Sequence, residues 1–372
     1  MKQLGVINES QGDKIVALTP KSVEQLKGHF NICIEKDAGL FAGFTNEAYE
    51  DAGATIVPTK ADIIQYSDVI LSYGSALGNE KLNHNKVFIG YYNVINDHSI
   101  ISPYIGKKTE VYSLDLIPRT TIAQSMDIIS SVASISGYQA VLMAAEMSPL
   151  VVPMVTSAGG TLRPAKFLIL GAGVAGLQAI ATAKRLGAQV KAFDIRKNTK
   201  TEVESLGATF IEVEGSVESE KAGGYAVEQT KDYMDLVAER LAEESKIADV
   251  IITTAKIPGK PSPRLIDEKT VYSMKPGSII IDLAAENGGN CALTRKNETI
   301  AVNGVTIAGP ISLVSKCSNA SSTLVSNNFT SFLLHYLKRL EANETDEILS
   351  ATRVVEDGKI INERIISEIN NH

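Results

Sequence analysis

At 372 residues, with 44% hydrophobic and 21% charged side chains, the chain is an ordinary globular protein long enough for two domains. A formal charge of −7 without a basic cluster argues against a nucleic-acid partner. The longest apolar runs, such as Leu150-Val-Val-Pro-Met-Val155, are too short for a bilayer, and Met1-Lys2 leads into a strand pattern, so a cytoplasmic chain with no transmembrane segment of its own is expected.

In chain order, Leu4–Asn8 reads as an opening strand, and Thr19-Pro20 supplies an N-cap and an N1 proline for a helix reaching about Lys27. Strand patterns follow at Asn31–Glu35, Ala54–Val57, Val69–Ser72, Val87–Gly90 and Thr109–Tyr112. A short helix, Asn46–Ala52, ends at Gly53, and polar helical segments separate several of the strands. Alternating strands and helices predict a parallel sheet covered on both faces, without a glycine fingerprint. Apolar residues at 128, 129, 132, 135, 138, 141, 142 and 145 then predict a long helix to about Met147, read as the bridge to a second domain. Pro149, Pro153 and the Ser157-Ala-Gly-Gly160 turn close this stretch.

The most informative segment is Lys166-Phe-Leu-Ile-Leu-Gly171-Ala-Gly173-Val-Ala-Gly176-Leu-Gln178. A strand pattern enters G-x-G-x-x-G; Val174, Leu177, Ile180, Ala181, Ala183 and Leu186 continue it as a helix, and Gly187 ends that helix. A second strand, Gln189–Phe193, ends at Asp194, 23 residues beyond Gly171. This is the dinucleotide fingerprint in its required context. Gly171 serves the tight turn, Gly173 leaves room for a pyrophosphate, and Gly176 lets the helix lie close on its strand. The helix N-terminus favours the phosphate charge. Asp194 suits a ribose diol and repels a 2′-phosphate, which favours NAD(H), with Arg196 a partial counterweight.

Beyond the fingerprint come a helix near Lys200–Leu206, a strand at Ala208–Glu212 and a polar stretch containing Ala222-Gly-Gly-Tyr225. A charged helix to about Ser245 precedes strands at Asp249–Thr254, Ser278–Asp282 and Val305–Ala308, with a loop at Glu286–Asn290 between the last two. Asn319–Leu340 reads as a long helix, and Val354–Ile361 as a hairpin around Asp357-Gly358 that returns to the first domain. The expected fold is therefore α/β, with two Rossmann-like doubly wound parallel-sheet domains joined by long helices. The first domain is discontinuous, comprising 1–128 and 320–372; the NAD(H)-binding domain is 129–319. Cys33, Cys291 and Cys317 are scattered and no metal-ligand spacing occurs, so reduced thiols and no metal site are expected. The five histidines lie in unrelated contexts.

Arg119-Thr-Thr-Ile-Ala-Gln124-Ser-Met-Asp127-Ile-Ile-Ser130-Ser131, together with the fingerprint, closely resembles the NAD(H)-binding component (alpha subunit, soluble domain I) of proton-translocating NAD(P)+ transhydrogenase. Ala222-Gly-Gly-Tyr-Ala226, Thr253-Thr-Ala-Lys-Ile-Pro-Gly-Lys-Pro261 and Met274–Ala284 extend the resemblance over nearly the whole chain. Alanine dehydrogenase is the fold relative. Where its pattern has an arginine, a lysine, a histidine and an aspartate, this chain has Lys14, Ser72, Tyr91 and Glu286. An amino-acid dehydrogenase needs cations and an acid/base. Hydride exchange between two nicotinamides needs instead that the rings be held about 3–3.5 Å apart.

The resemblance implies that Arg119, Gln124, Asp127 and Ser130 form the nicotinamide pocket. Asp127 and Ser130 would share one helical face, with Gln124 bridging to the second nucleotide. The same four residues also fit the capping and solvation of an interdomain helix. Cofactor contacts are expected from Gly171, Gly173, Val174 and Gly176, from Asp194, Ile195 and Arg196, and from Thr254 and Ala255 at a strand end, with Gly224 and Tyr225 in a lid. The implied activity is reversible hydride transfer from NADH to NADP+ held on a partner. Also implied are a homodimer, membrane-spanning proton-translocating subunits, and a place on the inner face of the cell membrane. The alternatives are an alanine-dehydrogenase-like oxidoreductase and an NAD(H)-sensing binding protein.

Overall fold

The computed structural model describes residues 1–9, 14–74, 82, 85–215, 230–257 and 259–370. They fall into two units: Met1–Val132 with Val314–His372, and Ala133–Leu313. In the first unit, strands β1 (Lys2–Val6), β2 (Phe30–Glu35), β3 (Thr55–Val57), β4 (Val69–Tyr73), β5 (Lys86–Tyr91) and β6 (Thr109–Ser113) pair in parallel in the order 3-2-1-4-5-6. The central strands are buried on both faces, which is why they read as nearly unbroken apolar runs.

The second unit starts with a separate exposed hairpin, β7 (Val155–Ser157) and β8 (Gly160–Leu162), where a simple turn was expected. Its sheet contains β9 (Lys166–Leu170), β10 (Gln189–Phe193), β11 (Thr209–Phe210), β12 (Val250–Thr253), β13 (Ile279–Asp282), β14 (Thr299–Val302) and β15 (Val305–Ala308). The order is 11-10-9-12-13-15-14, with β14 antiparallel at the edge. Counted from β9 and setting β14 aside, this is again 3-2-1-4-5-6, the strand order of dinucleotide-binding sheets. Sequence reading missed β14, although Asn303 and Gly304, both at positive φ, form its turn to β15.

The chain then returns to the first unit. β16 (Arg353–Glu356) pairs antiparallel with β6, and β17 (Lys359–Ile360) with β16. Asp357 and Gly358 take φ +46° and +71° in the connecting turn, so this unit is built from both ends of the chain.

Three helices carry the parts that matter below. Val174–Arg185 buries Ala179, Ile180 and Ala183 on the core of its sheet and stops at Gly187, φ +87°. Ser318–Ala342 buries Val325, Phe329, Phe332 and Leu333 in the first unit. Ile128–Met147 places Ala140, Val141 and Ala144 in the core of the second unit. A Cβ on its Gly137 would come within 2.0 Å of the Ala175 carbonyl oxygen, so the helix backbones touch at this glycine. By length and composition alone this helix is apolar enough to cross a bilayer, a test that a helix packed in a protein core also passes; serines interrupt its apolar runs without making it polar. One correction concerns Thr19. It occupies the N-cap position of Pro20–Leu26, but its side chain makes no capping bond, because its hydroxyl faces Ser326 Oγ at 3.4 Å.

Candidate functional site

In the second unit β9 and β12 are neighbours, and the chain leaves them toward opposite edges of the sheet. A parallel α/β sheet opens a crevice at the carboxyl ends of such a pair. The three fingerprint glycines stand here under three different constraints. Gly171 has φ +104°, and a Cβ on it would lie 2.4 Å from Thr254 Oγ1. At Gly176 a Cβ would lie 1.8 Å from the Gly171 carbonyl oxygen, so the helix rests directly on the turn. Gly173, by contrast, has nothing within 4 Å of its Cβ position. It caps the helix, whose first backbone bond runs from Leu177 N to Gly173 O at 2.8 Å. Ahead of that bond a helix N-terminus presents N–H groups and the positive end of its dipole, the arrangement that holds a phosphate. A dinucleotide fits this cradle: the backbone is closed where it must pack and open where a pyrophosphate would lie.

Thr254 Oγ1 donates to Gly171 O at 3.1 Å and ties the end of β12 to the turn. Ala255 is held on both sides: its N–H donates to Asn290 Oδ1 at 3.0 Å, and its carbonyl accepts from Asn290 Nδ2 at 2.8 Å. Beneath them Asp282, fully buried, accepts from Thr253 Oγ1, Ala284 N, Cys291 N and Thr294 Oγ1. Asp282 and Asn290 thus shape the crevice floor, and sequence reasoning did not single them out. The signal was available in a polar residue closing an apolar strand, followed by a Gly-Gly-Asn loop.

Asp194 stands at the end of β10, where an acid was expected, but the chain already uses its acceptors. Oδ2 accepts from Ala172 N (2.7 Å) and Arg196 Nη2 (2.9 Å); Oδ1 accepts from Arg196 N and Nε, both at 2.9 Å. Val174 lies exposed on the first turn of the helix, and Ile195 packs on the core beneath the sheet. Gly224 and Tyr225 of the expected lid lie outside the described residues.

In the first unit, Arg119 and Gln124 are exposed, while Asp127 and Ser130 are half-buried. Buried Ala123 and Met126 anchor the turn between them. The expectation that Asp127 and Ser130 share a helical face is corrected, because Asp127 precedes the helix and caps it. Its Oδ1 accepts from Ser130 N at 2.9 Å and its Oδ2 from Ser130 Oγ at 2.6 Å. The pair is one hydrogen-bonded unit. Asn328, from the helix Ser318–Ala342, donates to Ser125 O at 2.9 Å, and its own Oδ1 is buried with no hydrogen-bond partner among the described residues.

The positions that differ from alanine dehydrogenase make other contacts. Lys14 Nζ lies 5.1 Å from the Phe41 ring centroid. Ser72, buried, donates to Tyr92 OH at 2.9 Å, and Tyr91 stacks on Tyr73 at 5.2 Å. Glu286 is exposed in the turn Ala285–Asn287.

Comparison with known proteins gives the family. The family models described as "Alanine dehydrogenase/PNT, N-terminal domain" and "Alanine dehydrogenase/PNT, C-terminal domain" match residues 5–136 and 140–363. The chain belongs to this family. Within it the chain is 40% identical to an NAD(P) transhydrogenase alpha-subunit protein of Rhodospirillum rubrum, across 94% of this chain and 95% of that protein. It is 28% identical to alanine dehydrogenase of Bacillus subtilis, across 77% and 71%. A solved structure of transhydrogenase from Sinorhizobium meliloti superposes with a TM-score of 0.86 at 36% identity, covering 97% of this chain and all of that one. The chain is thus an alpha-subunit component of the NAD(P) transhydrogenase branch.

Proposed function

We propose that this chain binds NAD(H) at the fingerprint of its second unit and works as the NAD(H) module of a proton-translocating transhydrogenase, exchanging hydride with NADP(H) held on a partner. The observation that carries the reading is the glycine turn, where Gly173 alone faces open space at a helix N-terminus while Gly171 and Gly176 are packed shut. When bound, the nicotinamide supplies the hydride donor or acceptor. The chain's own residues bind and orient. The turn and the helix N-terminus take the pyrophosphate, Val174 borders it, Ile195 backs the end of β10 beside Asp194, and Thr254 and Ala255 present the end of β12. Arg119, Gln124 and the Asp127–Ser130 pair address the nicotinamide carboxamide, for which they offer both donors and acceptors.

The chain carries one fingerprint, so NADP(H) is assigned to a partner, and membrane subunits are assigned the proton path. The assembly is a homodimer peripheral to the inner face of the cell membrane. Ser72 and Tyr91 supply no cation where an amino-acid carboxylate would need one, and this favours nucleotide-to-nucleotide transfer over amino-acid oxidation.

The test mixes this chain with the NADP(H)-binding component and follows NADH-dependent reduction of an NADP+ analogue. Turnover is expected there, and none with alanine and NAD+. Alanine-dependent NAD+ reduction by the chain alone would replace the proposal with the amino-acid dehydrogenase. Binding without transfer would replace it with the sensor. The variant D127N keeps a good helix cap and should slow hydride transfer by more than about tenfold while leaving NADH affinity within about threefold. Equal losses in both would reduce Asp127 to a binding residue.

A further inference from the structure

We propose that Arg196 is a specificity-determining residue: its guanidinium closes a fork on Asp194 that an incoming adenosine ribose must open. The proposal rests on the reading that the fingerprint binds a pyridine dinucleotide. A carboxylate has about four acceptor positions. On Asp194 they are met by Arg196 Nε and N on Oδ1 and by Arg196 Nη2 and Ala172 N on Oδ2. Nε on one oxygen and Nη2 on the other form the paired contact that gives arginine–carboxylate bridges their strength and direction. Both side chains are largely withdrawn from water, Asp194 at 7% and Arg196 at 25% exposure, so solvent screens the pair weakly.

The consequence follows from the chemistry of the two cofactors. A ribose diol binds such an acid by donating to it, and here it must first displace the guanidinium. A 2′-phosphate is repelled by a bare carboxylate and attracted by a guanidinium. The fork neutralises the one charge and, once opened, offers the other. It therefore weakens NAD(H) binding through competition and softens the rejection of NADP(H). The two backbone donors stay with Asp194 in either state, so the acid does not move when the fork opens.

The chain contains no tryptophan, so the emission of NADH and NADPH can be titrated directly against the apo protein. R196Q should tighten NADH and weaken NADPH, raising the ratio of the NADPH dissociation constant to that of NADH about tenfold. R196K keeps the positive charge without the fork; it should tighten NADH while leaving NADPH near wild type. D194N should move the ratio the opposite way, since Arg196 is then left to the 2′-phosphate. Thermal unfolding of each apo variant separates binding from damage to the fold. A ratio in R196Q within about twofold of wild type, or a lower one, overturns the proposal. If wild type binds neither nucleotide, the proposed function falls, and this inference with it; binding of NADH with an unmoved ratio removes the inference alone.

Discussion

The two units place the same sheet order around their first strand, and the residues beyond that strand differ at every step. β1 ends with Val6 beside Ile34 of β2, and β9 ends with Leu170 beside Phe193 of β10. The acid closing the second strand accepts an N–H from two residues past the first strand in both units. Glu35 accepts from Asn8 N, and Asp194 from Ala172 N, each at 2.7 Å. Around this shared bond the second unit has Gly171, Ala172 and Gly173, and the first has Ile7, Asn8 and Glu9. Ile7 packs into a core cluster, while Glu9 is buried and accepts from Tyr73 N at 2.6 Å. Where Gly173 leaves open space, the first unit has a carboxylate. The comparison teaches that one strand order carries two different turns: the three residues after the first strand leave open space at Gly173 in one unit and place a buried carboxylate at Glu9 in the other.

The strongest way to break this comparison is at the glycines. G176A drives a methyl group into the Gly171 carbonyl, where nothing flexible can give way. It should cost the second unit about 3 kcal/mol or more, read as a lower thermal midpoint, and abolish NADH binding. G173A is the opposite experiment. Its φ of −79° suits any residue and its Cβ meets nothing, so the apo midpoint should stay put while NADH affinity falls about tenfold. A G173A protein that binds NADH normally would mean that the pyrophosphate lies elsewhere.

Glu9 is the mirror case. E9A removes the carboxylate that accepts from the Tyr73 N–H and should cost about 1–3 kcal/mol of stability. It should leave NADH affinity unchanged, since this carboxylate belongs to the unit without a fingerprint. A shift in affinity comparable to that of G173A would contradict the division of labour between the units.

How much of this was legible in the sequence follows from the distances along the chain over which each contact acts. The fingerprint was legible because its strand, turn, helix and acid lie within 29 residues, from Lys166 to Asp194, and each element has its own local pattern. The hairpin of β16 and β17 was legible as a turn signal at Asp357-Gly358, whereas the pairing of β16 with β6 was not, because the two strands lie far apart in the chain. Asn328 was not, because the carbonyl it holds is 203 residues away and nothing around a helical asparagine announces its partner. Asp282 and Asn290 left a local signal, a polar strand end and a Gly-Gly-Asn loop, but their partners come from contacts that exist only once three strand ends have met. The Arg196 fork shows a different limit: the two residues are adjacent but for one, yet a sequence carries no rotamer, and only the folded side chain shows which acceptors remain. Asp127 gave both meanings at once, since a good cap and a good carboxamide partner are the same chemical group.

The smallest expected effect is at the other acid of the shared bond. Burial raises the Glu35 carboxyl above its ordinary value of 4.5, against the opposing pull of the Asn8 N–H and of Lys60. The folded state therefore holds this proton more tightly than the unfolded chain does. As pH rises from about 4.5 through the folded value, the unfolded state loses its proton first, so the contribution of Glu35 to stability declines and stays low above that range. E35Q cannot titrate and still offers an oxygen to the Asn8 N–H. Its thermal midpoint, compared with wild type in steps from pH 4 to 7, should lose part of this decline and gain relative to wild type toward neutrality. A gap between the two proteins that widens toward acid instead would mean that the hydrogen bond from Asn8 outweighs burial at this carboxylate, and that the first unit uses its acid as an ionised anchor.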